Sequence, residues 1–145
     1  MMTAYEKNYL DQNMKLHRLL FKMYKQSEFD LFECISEYLK TSKIRKNMDN
    51  GNWSALNKGV NQLWNSISYS NISKKKIDYS NVDTDWMANI YTFFQWKYDI
   101  MSEKICEKIP PKTLDSKYNP LHETSIQNAC EKLYSCYFKE GNLND

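Results

Sequence analysis

Hydrophobic side chains recur at helical intervals along most of the chain. Near the start of the sequence they fall three and four residues apart between Tyr5 and Met23, which predicts a first helix over about residues 4–25. His17 lies beside this stripe. Because no cysteine, carboxylate or second histidine stands four residues away, we expect a half-buried or exposed histidine there rather than a metal ligand.

Two further stripes predict two more helices. One covers residues 29–39, and Ser27 just ahead of it is a suitable N-cap. The other runs from Ser54 to about residue 67, with apolar residues at three- and four-residue steps. Between them, we expect Gly51 to end a short helix, because glycine readily takes the left-handed conformation.

A polar segment and a strongly apolar one follow. Residues 68–83 are rich in serine and asparagine and predict an exposed loop. After Asp83 or Thr84 as N-cap, residues 85–98 are apolar on nearly every side, which is typical of the central helix of a bundle. We therefore expect this helix to be the most buried in the protein.

All three prolines lie close together after that helix. A short helix that begins at Ser102 must stop before Pro110, because the residue ahead of a proline disfavours helical geometry. Proline is well suited to the first turn of a helix, so we expect a short helix to start at Pro111 and the last helix to start at Pro120. Gly141 is expected to end that last helix.

On this interpretation, the turns around the three prolines have a structural role, and we call this region the proline corner. We expect the His122 side chain to fix it through a hydrogen bond to Asp115, at a net contribution of about 0.5–1.5 kcal/mol. The corner then consists of Pro110, Pro111, Pro120 and His122.

The helical pattern predicts an all-α fold, a compact bundle of about five main helices with short connecting helices. At 145 residues the chain suits one helical domain, residues 1–145, and the loop at 68–83 is where a division into two lobes would fall. Aromatic residues make up 14% of the chain, so tyrosine and tryptophan are expected to form much of the core.

Composition narrows the classes of function. The N-terminal stretch has no uninterrupted apolar segment, and no run of about 18 apolar residues exists, so we expect a cytoplasmic protein without a membrane partner. The four cysteines have no zinc-type spacing, and the three glycines form no phosphate loop, so no metal or cofactor is predicted. The net charge of +2 provides no global basic field of the kind found in dedicated nucleic-acid binders.

Local clusters of basic residues could still contact an acidic partner, either nucleic acid or protein. Clustered Lys and Arg side chains neutralise phosphates or carboxylates and give salt-dependent binding. The alternative is that both clusters are solvated surface. The candidates are Lys40, Lys43, Arg45, Lys46, Lys74, Lys75 and Lys76.

The segment 102–118 has the size of a helix-turn-helix, which makes DNA reading a second hypothesis. The exposed residues of its reading helix would be Lys112, Thr113, Ser116 and Lys117. Against this hypothesis, the turn contains two prolines rather than glycine, and residues 83–145 carry 7 Lys and Arg against 10 Asp and Glu.

A catalytic set is the least favoured hypothesis. Cys106, His122 and Asp115 could act as nucleophile, base and orienting acid if they met in space. Cys106 falls on an apolar stripe, however, which favours a buried thiol. We therefore predict no catalytic residues.

Two segments together carry a resemblance that spans most of the chain. The downstream segment runs from Trp86 to His122, and the upstream one runs from Tyr38 to Gly51. The positions that carry the resemblance are Tyr38, Ser42, Arg45, Asp49, Gly51, Trp86, Tyr91, Gln95, Trp96, Tyr98, Ser102, Ile105, Ile109, Pro110, Leu114, Tyr118, Leu121 and His122. On these positions the chain resembles small uncharacterised all-helical proteins of low-GC Gram-positive bacteria that are associated with mobile-element and toxin–antitoxin loci.

The resemblance implies a genetic neighbourhood and no active site. Together with the abundant tyrosine and tryptophan, which are suited to anchor interfaces, it favours a non-catalytic interaction protein. We expect an antitoxin-like or immunity-like protein whose partner is another protein, with a DNA-binding regulator as the alternative.

Overall fold

The computed structural model describes residues 2–139, and this part of the chain is all-helical. It contains ten helices, four of which exceed ten residues. In chain order they are α1 (Lys7–Gln26), α2 (Leu31–Thr41), α3 (Lys43–Asp49), α4 (Trp53–Leu56), α5 (Val60–Trp64), α6 (Thr84–Tyr98), α7 (Ser102–Lys108), α8 (Pro111–Ser116), α9 (Tyr118–Leu121) and α10 (Ile126–Tyr137). The prediction of an all-α fold is confirmed.

Helix α6 is the centre of the bundle. It packs most extensively against α1 and also contacts α7, α8 and α10. Ten of its fifteen residues are buried, the largest number in any described helix. The Asp83 side chain accepts a hydrogen bond from the Trp86 N–H and begins the helix. Both the predicted cap and the predicted central position are confirmed, because a helix that is apolar all round can lower its free energy only by burial on all sides.

The buried face of α1 differs from the predicted one. Leu19, expected in the apolar stripe, is 48% exposed. The stripe that faces the core is turned by about one residue, roughly 100°, and it includes the polar Asn13 and His17 together with Leu20 and Tyr24. Asn13 Nδ2 donates to the Tyr5 hydroxyl, and both ring nitrogens of His17 have partners, so a stripe defined by apolar residues alone was wrong.

Two helix starts also differ from prediction. The Ser27 side chain donates to the Tyr24 carbonyl at the end of α1, and the Asp30 side chain caps α2 instead. The predicted helix over residues 54–67 is divided into α4 and α5, and Gly59 is the N-cap of α5. Gly51 follows the end of α3 with φ of 75°, as expected for a glycine that stops a helix.

Residues 68–83 form an irregular loop, as predicted, but the loop is not simply exposed. Phe29 and Lys74 form an isolated antiparallel bridge, and no strand occurs within residues 2–139. The Tyr79 hydroxyl donates to the Asp30 carboxylate. Tyr79 and Val82 are buried in the same core cluster as residues of α1, α6 and α10.

The proline corner begins as predicted and ends differently. Pro110 is the N-cap and Pro111 the first residue of α8. Pro120 lies inside the four-residue α9 and does not start the last helix. Helix α10 begins at Ile126, because the Ser125 side chain accepts the Asn128 N–H. The predicted stop at Gly141 lies outside the described residues. Within the described part of the chain, no helix is long and apolar enough to cross a membrane.

Candidate functional site

Arg45 lies in the core and not on the surface. Its side chain is 1% exposed, so it is not available to an acidic partner, and its place in the predicted basic set was wrong. The Nε atom donates to Ser102 Oγ at 2.7 Å and to Asp49 Oδ1 at 3.2 Å. The Nη1 atom lies 2.8 Å from His17 Nε2. A buried guanidinium needs such partners because leaving water is costly for a charge.

Asp49 completes this buried ion pair. Its Oδ2 accepts the Ser102 N–H at 2.7 Å, and its Oδ1 accepts the Ser102 hydroxyl at 2.8 Å. Burial raises the pKa of the Asp49 carboxyl, while the Arg45 charge and the Ser102 donors oppose that rise. The pKa of Arg45 is raised, against the effect of burial, by the negative charge of Asp49, so the guanidinium stays charged.

The geometry fixes the tautomer of His17. Its Nδ1 lies 2.7 Å from the Asn13 carbonyl oxygen, which can only accept, so Nδ1 carries the proton. Nε2 is then an acceptor for the Tyr38 hydroxyl at 2.6 Å and for Arg45. Burial and the Arg45 charge hold the pKa of His17 well below its usual value, so the ring is neutral. His17 was expected to be half-buried or exposed, and it is fully buried.

This buried network joins α1, α2, α3 and α7. Gln95 of α6 also donates to the Asp49 backbone carbonyl, at 3.2 Å. Tyr38, Arg45, Asp49 and Ser102 are among the residues that carry the resemblance stated above. Their polar groups bond mainly to one another, so the network acts as an internal brace between helices.

The remaining basic candidates fall into two groups at opposite ends of α2, a helix about 16 Å long. At its N-terminal end, Lys74 pairs with Glu28 and lies over the Phe29 ring, while Lys75 donates to the Lys25 carbonyl. Lys76 is exposed. At or beyond its C-terminal end, Lys40 and Lys43 are exposed and Lys46 is half-buried.

The structure brings Lys40 to the proline corner. Lys40 and Lys112 line a shallow cleft of about 290 Å³ together with Pro110 and Pro111. Helix α8, the predicted reading helix, has six residues and buries Leu114. The four residues predicted to contact DNA are exposed or half-buried. They are Lys112, Thr113, Ser116 and Lys117.

His122 makes a different contact from the one predicted. It is exposed at the end of α9, and its Nδ1 lies 2.9 Å from the Tyr118 carbonyl rather than bonding to Asp115. Its ring stacks on the Tyr118 ring with centroids 4.3 Å apart. Cys106 is 1% exposed in the core, and burial raises its pKa. Neither residue is placed to serve as a nucleophile with its base.

A basic surface on α1 was missed by the sequence reasoning. Lys15, Arg18, Lys22 and Lys25 lie three and four residues apart, on a face of α1 beside the buried one, and Lys75 of the loop extends the row. We call these five residues the basic row. They line two adjoining depressions of about 230 and 390 Å³ that share Lys22.

Three members of the basic row make hydrogen bonds within the protein, and the other two are exposed. The Lys25 Nζ donates to the Val82 carbonyl at 2.8 Å, and Arg18 donates to Asn89 at 2.8 Å. Lys15 and Lys22 are exposed, and neither takes part in the ion pairs formed among residues 2–139. Leu19 is exposed between them.

Comparison with known proteins gives no relative on which to model the site. No family model, no curated protein and no solved structure matches the chain. Within residues 2–139, no group of three or more His, Cys, Asp or Glu side chains is placed to hold a metal ion. Function must therefore be inferred from the surface chemistry of the chain itself.

Proposed function

We propose that this protein is a non-catalytic interaction protein that binds an acidic segment of a partner protein through the basic row of α1. The observation that carries the proposal is the charge of this surface. Five cationic and two acidic side chains line the two depressions, which leaves three positive charges on one face of a chain whose net charge is +2. Complementary charge of this kind speeds encounter and selects partners.

An exposed apolar residue at the centre of the row favours a protein partner. Leu19 is 48% exposed and lines the same depression as Lys15, Arg18 and Lys22. A protein interface typically surrounds a buried apolar contact with a polar rim. The best complement is therefore an amphipathic segment whose apolar side chain covers Leu19 and whose carboxylates face the lysines.

Two carboxylates make the same surface less suitable for nucleic acid. Asp85 lies in the depression with Leu19, and Asp78 lies in the neighbouring one. A phosphate backbone that followed the row would pass both negative charges, which weakens the electrostatic attraction on which such binding depends. A protein segment can place its own charges to avoid them.

The positions of the reactive side chains support a binding role rather than catalysis. His17 and Cys106 are buried, and the geometry leaves His17 neutral, with partners on both ring nitrogens. These groups stabilise the fold and are not presented to a substrate.

The resemblance to proteins of toxin–antitoxin and mobile-element loci gives the proposal a specific form. An antitoxin-like or immunity-like protein has to bind one partner that is produced in the same cell. We therefore place the gene of the partner next to that of this protein, and reading the two flanking genes is the first check.

Charge reversal tests the surface directly. The tagged protein is purified from its native host after nuclease treatment, as wild type, as Lys15→Glu/Lys22→Glu and as Lys40→Glu/Lys43→Glu. All four lysines are exposed, so both variants make the same change in net charge. The captured protein is then identified, purified and titrated against each variant.

We expect the α1 variant to bind at least about tenfold more weakly, since juxtaposed like charges cost several kcal/mol and about 1.4 kcal/mol corresponds to tenfold. The control variant should bind like wild type. Equal binding by both variants, or loss in the control alone, would refute the role of the row.

The alternative, a DNA-binding regulator that uses α8, keeps one favourable observation. Lys40 and Lys112 lie in one cleft beside the proline corner. This alternative predicts retention on duplex DNA that falls steeply with salt and is lost in Lys40→Glu/Lys112→Glu.

A further inference from the structure

A groove lies between the N-terminal segment and the turn that joins α3 to α4. Its volume is about 350 Å³, and three aromatic side chains line it: Tyr5, Tyr9 and Trp53. It is separate from the basic row, with which it shares no lining residue.

Hydrogen bonds to Trp96 of α6 fix the N-terminal side of the groove. The Ala4 N–H donates to the Trp96 carbonyl at 2.9 Å, and the Trp96 indole N–H donates to the Tyr5 carbonyl at 2.8 Å. On the other side, a Cβ atom at Gly51 would lie 3.0 Å from the Ala4 carbonyl oxygen. Glycine at this position allows the close approach, so the groove is part of the folded structure.

The three rings pair with no other aromatic ring of the described residues. None of the ring pairs formed among residues 2–139 includes Tyr5, Tyr9 or Trp53. Trp53 is 68% exposed, while Tyr5 and Tyr9 are half-buried against the core. The groove therefore combines one exposed aromatic ring with two half-buried ones.

The charge in the groove is negative. Glu6 is the one charged side chain among the residues that line it. The buried Arg45 lies near Tyr5, but its ion pair with Asp49 at 3.2 Å compensates its charge. The groove therefore offers aromatic rings and a carboxylate to a ligand.

We propose that this groove binds a quaternary ammonium group. A cation is attracted to the face of an aromatic ring, and tryptophan attracts it most strongly. The methyl groups of a quaternary ammonium pack on such faces at little cost in hydration. Glu6 supplies the matching negative charge at the edge. The group is the same in a free choline-like molecule and in a choline lipid headgroup.

Ligand-observed NMR with tetramethylammonium and choline tests the proposal, and tryptophan fluorescence is a second readout in the wild type. The neutral isostere 3,3-dimethyl-1-butanol has the same shape without the charge. The variants are Trp53→Leu and Glu6→Gln, and the control is Glu103→Gln, an exposed acid elsewhere.

We expect saturable binding of both cations, weak or no binding of the isostere, and unchanged binding in Glu103→Gln. Trp53→Leu and Glu6→Gln should each weaken binding about two- to fivefold, the range that one exposed cation–π contact or one exposed ion pair provides. Equal binding of cation and isostere, or no saturable binding at millimolar concentration, would overturn the proposal.

The source is identified by comparing free choline with phosphatidylcholine vesicles as competitors of tetramethylammonium, and failure of both to compete would also count against the site. The inference is independent of the proposed function. Lys15→Glu/Lys22→Glu should leave this binding unchanged while it weakens partner binding, so the two proposals can fail separately.

Discussion

Replacing Arg45 with methionine removes the guanidinium while keeping an apolar stem of similar shape. The change leaves the Asp49 carboxylate buried without its cation, although the two Ser102 donors at 2.7 and 2.8 Å stay in place. It also removes the hydrogen bonds from Arg45 to Ser102 and to His17. The perturbation therefore tests the buried network that joins four helices.

The expected loss in the free energy of unfolding is about 3–5 kcal/mol, the range for removing one partner of a buried ion pair. A domain of this size typically has only about 5–15 kcal/mol in total, so the variant should be visibly unstable. If Arg45 were a surface residue, as the run of basic residues suggested, the change would be within about 0.5 kcal/mol.

Urea unfolding followed by circular dichroism measures the difference. Lys43→Met is the matched control, because Lys43 lies on the same short helix, is exposed and loses the same charge. A loss below about 1 kcal/mol in Arg45→Met, or an equal loss in the control, would show that the ion pair is not buried as described.

Three further results are expected. The pKa of His17 is lower in the folded protein than its unfolded value of 6.5, so stability is complete above that pH and falls as pH decreases below it. The free energy of unfolding should change by about 1.4 kcal/mol per pH unit in this range. Urea titrations from pH 7 to 5 should show this dependence in the wild type and not in His17→Gln. An unchanged dependence in the variant would contradict the buried neutral ring. Gly51→Ala should lower stability by about 1–2 kcal/mol because φ is positive there, and by more than Gly59→Ala, whose backbone is extended; equal thermal shifts in the two variants would argue against the strained turn. Ellman's reagent should modify the exposed Cys136 in the native protein and the three buried thiols only in denaturant. The buried thiols are Cys34, Cys106 and Cys130, and burial raises the pKa of each, to about 12 for Cys34. Rapid native labelling of a second thiol would refute this assignment.

Features encoded by neighbouring residues were predictable from the sequence. The apolar run of α6 and its Asp83 cap lie within one segment, and so does the stop imposed by Pro110. Each depends on local geometry, which periodicity and proline chemistry describe well.

Features that depend on distant partners were not predictable. His17 is buried because Tyr38 and Arg45 satisfy its ring, 21 and 28 residues away. Arg45 itself bonds to Ser102 across 57 residues. The periodicity of a single helix assigns a polar residue to the exposed face when the partners that allow its burial lie so far along the chain.

Of the two candidate sites, the basic row could have been found in the sequence and the aromatic groove could not. Four residues of the basic row stand at three- and four-residue steps in the part of the sequence that forms α1. From the sequence we considered clusters of neighbouring basic residues and missed this spacing. The aromatic groove could not be found, since Tyr5 and Trp53 meet only after the N-terminal segment is fixed on Trp96.

A photo-cross-linking amino acid at Leu19 gives the most direct test of the proposed interaction surface. Expressed in the native host and irradiated, the protein should form one dominant cross-link to another protein. The cross-link should disappear when Lys15→Glu/Lys22→Glu is added, and a cross-linker at the exposed Lys112 should not produce it. No protein cross-link at position 19, or one that the charge reversal leaves intact, would contradict the account.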